Sequence, residues 1–99
     1  MDDATFVHII TNYLNHVLER IETAYWQAVD CELNTGVLNI QTDQGIFIIN
    51  RNIPRQELWL SSPFSGGSHF KYVDGQWLNT RTNEDFESVL FKELDQISS

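Results

Sequence analysis

Ninety-nine residues carrying 14 acids against 6 lysines and arginines give a net charge of -8, a field that repels nucleic acid and anionic lipid and attracts cations or a basic protein surface. A chain of this length buries about 60–70% of its unfolded surface, so its fold requires neither a metal nor a disulfide. No apolar run approaches the roughly 20 residues of a membrane span, and a single cysteine, Cys31, cannot form an internal disulfide and fits a reducing compartment.

The charge is unevenly placed. Residues 1–45 set seven acids against Arg20, for a net -6; residues 46–81 set Glu57 and Asp74 against Arg51, Arg55, Lys71 and Arg81, for +2; residues 82–99 set five acids against Lys92, for -4. An acidic start and end thus enclose a basic middle.

Phe6, Ile9, Ile10, Tyr13, Leu14, Val17, Leu18 and Ile21 recur at steps of three and four, which predicts an amphipathic helix from residue 4 to about residue 25. Asp2 or Asp3 would cap it, and both suit the positive end of its dipole. From Val29 the period changes to two, with Cys31 inward and Asp30 and Glu32 outward. Turns at Asn34-Thr35-Gly36 and Asp43-Gln44-Gly45 then separate strands over 37–42 and 46–50. Connections this short force antiparallel pairing, because a parallel crossover needs a dozen or more residues.

The segment from Asn50 to Tyr72 turns at Ile53-Pro54, runs through a strand centred on Trp59, and turns again from Pro63 to Gly67. Leu58 and Leu60 face the core; Glu57, Trp59 and Ser61 face water or a partner. Strands around 70–73 and 77–79 follow, joined at Asp74-Gly75. The run from Thr82 to Asp85 starts a second helix, which continues through Phe86, Val89, Leu90, Leu94 and Ile97. Helix, five to six strands, helix predicts an α+β two-layer sandwich over residues 1–99, with both terminal helices on one face of an antiparallel sheet and the other face solvated.

Glu19 and Glu22 lie one helical turn apart, and Asp30 and Glu32 share one face of a strand. Exposed carboxylates of this kind bind hard cations weakly, since no His or Cys is spaced to close a cage. His8, His16 and His69 are scattered and read as surface or packing residues, and no Ser-His-Asp set, Walker loop or dinucleotide fingerprint occurs. Gly66-Gly67 reads as a loop turn. Trp26 and Trp77 are assigned to packing, whereas Trp59, between Glu57 and Ser61 on its face, suits an interface anchor.

The run Gly36-Val37-Leu38-Asn39-Ile40, then Ile48-Ile49-Asn50-Arg51, Pro54, Leu58-Trp59-Leu60-Ser61-Ser62-Pro63, Ser65-Gly66-Gly67, Phe70, Trp77-Leu78 and Arg81 resembles the frataxin family in its bacterial CyaY form. The resemblance implies a non-enzymatic factor of iron-sulfur cluster assembly that docks on a cysteine desulfurase and a scaffold protein. An iron chaperone, or ferroxidase activity in oligomers, is the alternative. It implies weak iron binding, ferrous or ferric, on a ridge that maps here to Glu19, Glu22, Asp30 and Glu32, with Asp2 and Asp3 as possible additions. The same acids would meet the desulfurase, while Asn50 and Trp59 would meet the scaffold.

The implied form is a monomer without iron. A start at Met1 with no transit-type leader favours a bacterial, cytoplasmic protein over one of the mitochondrial matrix. The chain departs from the family pattern at Tyr25-Trp26-Gln27-Ala28-Val29, where relatives carry more acids, at Glu57, where Gln is usual, and at the variable position His69.

Overall fold

The computed structural model describes residues 1–98. Its elements are α1 (Asp3–Tyr25), β1 (Asp30–Asn34), β2 (Val37–Thr42), β3 (Gly45–Asn52), β4 (Glu57–Ser62), β5 (Gly66–Val73), β6 (Gln76–Asn79) and α2 (Phe86–Ser98). The strands form one antiparallel sheet in sequential order from β1 to β6, and both helices cover the same face, as the predicted sandwich requires.

α1 begins where Asp2 accepts the Thr5 backbone N–H at 2.7 Å, an N-cap that satisfies one of the donors the first turn leaves free. Its buried stripe is Phe6, Ile10, Leu14, Val17, Ile21 and Tyr25, and α2 adds Phe86, Leu90 and Leu94. Against these pack Leu38, Ile40, Phe47, Ile49, Leu58, Leu60, Phe70 and Trp77 from the inner face of the sheet. Phe6 meets Trp77 edge-on at 6.1 Å between ring centroids, and Phe86 meets Phe70 edge-on at 5.1 Å. Burying each aliphatic or aromatic side chain contributes about 1.5–3 kcal/mol, so this interior dominates the stability.

Three local expectations change. Gly66 and Gly67 belong to β5, paired with Ser62 and Ser61, so the connecting turn is only Pro63-Phe64-Ser65. Gly66 has φ of 78°, which lets the chain re-enter the sheet immediately after the turn. The second helix starts later than Thr82: Asn79 Oδ1 accepts the backbone N–H groups of Arg81 and Thr82, and Asp85 caps the helix by accepting from Ser88 N at 3.3 Å. Trp26 is 68% exposed rather than packed. It follows the last buried residue of α1, Tyr25, and one helical step turns it about 100° away from the core.

Candidate docking and cation surfaces

α1 and β1 place Glu19, Glu22, Asp30 and Glu32 on the exterior, all exposed. Of these, Glu22 and Asp30 meet across the helix–strand junction at Cys31, whose thiol is pushed up to about 11 by burial, with the charges of Glu22 and Asp30 adding to it. Cys31 is half-buried against the core and stays a thiol at neutral pH. Arg20, the sole Lys or Arg of residues 1–45, does not neutralise this surface. Its guanidinium turns to α2, donating to Glu87 and lying 4.2 Å over the Phe91 ring.

Among the described residues, no three His, Cys, Asp or Glu side chains assemble into a metal-binding group. The acidic surface therefore offers cations carboxylates without a closed cage. Asp2 and Asp3 stand apart from it. Sixteen or more helical residues separate them from Glu19, about 25 Å at 1.5 Å per residue. Their oxygens also have structural partners: Asp2 caps α1, and Asp3 accepts from Gln56 Nε2 at 3.1 Å.

The outer sheet face is built by register. Asn34, Val37, Asn50, Trp59 and His69 form one row across five strands. Asn50 and Trp59 are direct cross-strand neighbours, both partly exposed. Trp59 stacks on His69 with centroids 4.4 Å apart and planes 9° from parallel, and its Nε1–H donates to Glu57 Oε1 at 2.9 Å. Exposed Ile46 and Ile48 on β3 extend this face as an apolar strip.

Glu57 departs from the expected solvated position: it is on the outer face yet only 2% exposed. Neighbouring side chains cover it. Besides Trp59, Arg55 Nε donates to Oε1 at 3.2 Å, His69 Nδ1 lies 3.5 Å from Oε1, and Lys71 Nζ lies 3.5 Å from Oε2. Burial alone would raise its pKa, but the hydrogen bonds from Trp59 and Arg55 and the charges of Arg55 and Lys71 outweigh it and hold the carboxyl below the usual range. The sequence places Glu57 on the face of Trp59 but does not join His69 to them. A three-residue turn after Ser62 supplies the missing signal, since it sets Trp59 opposite His69.

A family model described as a frataxin-like domain matches residues 1–99. The chain belongs to the frataxin family. Over 99 residues this frataxin-family chain is 35% identical to the iron-sulfur cluster assembly protein CyaY of Neisseria meningitidis, and to that of Neisseria gonorrhoeae, across 99% of its own length and 91% of theirs. Frataxin from Psychromonas ingrahamii superposes with a TM-score of 0.88 at 26% identity, over 100% of this chain and 94% of that one. Trimeric yeast frataxin from Saccharomyces cerevisiae, complexed with ferrous iron, superposes with a TM-score of 0.80 at 30% identity, over 92% and 87% of the two chains.

Proposed function

We propose that this frataxin-family chain is a non-enzymatic regulator of iron-sulfur cluster assembly, acting in the cytoplasm by docking on a cysteine desulfurase and its scaffold protein. Glu19, Glu22, Asp30 and Glu32 meet a basic patch on the desulfurase, while Asn50 and Trp59 meet the scaffold. The observation that carries this reading is the acidic surface: four exposed carboxylates on α1 and β1, with Arg20 committed to α2 and no ion pair to any of the four among the described residues. Such a surface attracts a basic partner over distance and binds ions only weakly.

The decisive experiment is binding of the iron-free protein to its desulfurase at low and high salt, beside a variant with Glu19, Glu22, Asp30 and Glu32 changed to Lys. Salt-sensitive binding that the variant loses supports the reading. Binding that appears only after iron is added supports the second reading, an iron carrier to the scaffold, which the ferrous complex of yeast frataxin favours.

A further inference from the structure

Glu57 poses a problem that docking through Trp59 alone does not explain. A carboxylate buried in the middle of a sheet's open face costs free energy unless charged or hydrogen-bonded neighbours compensate it. Here the compensation exceeds the charge. Two permanent cations, Arg55 and Lys71, surround one buried anion, and their side chains remain 64% and 56% exposed. The patch therefore presents a surplus positive charge to solvent, beside the exposed part of Trp59.

The acids of the same face, Asp30 and Glu32, lie on β1, four strands from His69 on β5. At about 4.8 Å per strand that is roughly 19 Å, beyond a Debye length of about 8 Å at physiological salt. They do not cancel the patch. The molecule thus carries an acidic edge and a separate basic platform, as the charge division of the sequence anticipates.

We propose that Trp59, His69, Arg55 and Lys71 form a docking platform for a carboxylate-bearing segment of a partner protein, with Glu57 as its positioning residue, and that proton uptake by His69 tightens the contact. The proposal rests on the reading of the outer sheet face as a docking surface and specifies the chemistry and regulation of that face. Glu57 fixes the indole by accepting from its Nε1–H, and the indole in turn supports the imidazole at 4.4 Å. A protonated imidazole donates from both ring nitrogens, so Nδ1–H serves Glu57 and Nε2–H serves the partner. It also gains a cation–π contact with the indole beneath it.

The charged groups around His69 come from every neighbouring element. Glu57 on β4, Lys71 on β5 and Arg55 in the preceding turn meet at one carboxylate. Arg81 and Glu84, between β6 and α2, line a shallow cavity with His69.

Two measurements test the platform on the full chain, in wild type and in His69→Gln. The first is the NMR signal of the Trp59 indole N–H from about pH 8 to about pH 5.5, the range in which imidazoles take up a proton. It should move in wild type and stay fixed in His69→Gln; an unmoved wild-type signal, or equal movement in both, overturns the coupling. The second is affinity for the purified scaffold protein at the two ends of that range. Wild type should bind about threefold tighter at the lower pH, and His69→Gln equally at both.

An Arg55→Glu, Lys71→Glu variant should lose most binding at either pH if the partner's contact segment is acidic, and unchanged affinity would overturn that assignment. A wild-type affinity without a pH step, or a step that His69→Gln keeps, overturns the role of His69 while leaving the outer face as a docking surface. No binding at either pH overturns the docking reading and the platform with it.

Discussion

Glu57 shows what one carboxylate does when its neighbours decide its environment. Its pKa is depressed in the folded chain, so the linkage has a definite sign. The stabilisation is fully present above the unfolded value of about 4.3 and is lost as pH falls through the lower, folded value. Glu57→Gln keeps an oxygen for the Trp59 indole but removes the charge. The stability difference between wild type and Glu57→Gln should therefore be constant near neutrality and shrink below about pH 4. Urea melts at neutral pH and in acid measure it, and a difference independent of pH would contradict the charged cluster. Gly45 is a residue of another kind: at φ of 130° an added Cβ would stand 2.6 Å from Pro63 Cβ. Gly45→Ala should cost about 1–3 kcal/mol in the same melts, through strain and displacement of the Pro63 turn.

At the scale of elements, the two helices are joined by polar ties above the apolar contact. Glu87 on α2 accepts from Tyr13 Oη at 2.9 Å and from Arg20, with His16 Nε2 at 3.6 Å. Tyr25 donates to Asp95, and its pKa is pushed up to about 12, first by burial and then by that carboxylate. These ties differ in worth. The Arg20–Glu87 pair is partly exposed on both sides and contributes at most about 1 kcal/mol. The half-buried Tyr13 hydroxyl would lose its acceptor, which costs about 1–3 kcal/mol. Glu87→Ala should accordingly destabilise the chain by more than Arg20→Ala does. A double-mutant cycle with Tyr13→Phe should recover most of the loss; additive effects would locate it elsewhere. α2 is tied to the sheet as well, through Glu93, which accepts from both Ser62 and Ser65.

The whole molecule is electrically divided. Its helix-and-edge side is acidic, its sheet centre is basic, and each side suits a partner of opposite sign. Association through the acidic side should slow by about tenfold or more from low to high salt, because screening shortens the range over which opposite charges attract. Stopped-flow association with the proposed desulfurase partner checks this, and a rate indifferent to salt would remove charge from the docking account. The fold leaves Trp59 and the Ile46–Ile48 strip uncovered because both helices are spent on the inner face. Trp26, exposed at the end of α1, places an apolar ring rather than a carboxylate beside the acidic surface.

Periodicity alone determined the helix–meander–helix order and the inner core. The three- and four-residue steps of Phe6 to Ile21 admit one buried stripe, and the alternation of Leu58 and Leu60 with Trp59 assigns the faces of β4. Tight turns then leave only antiparallel pairing. Residue matches over nearly the whole chain also made the family legible. Cross-strand and through-space neighbours were not legible in this way, because one residue's place in the turn after Ser62 changes every pair across β4 and β5. Only the tertiary structure decided that Glu57 is buried on an open face, that His69 lies on Trp59, that Arg20 is withdrawn from the acidic surface, and that Trp26 is exposed. Each of these depends on side chains brought together from separate elements, whereas periodicity describes one element at a time.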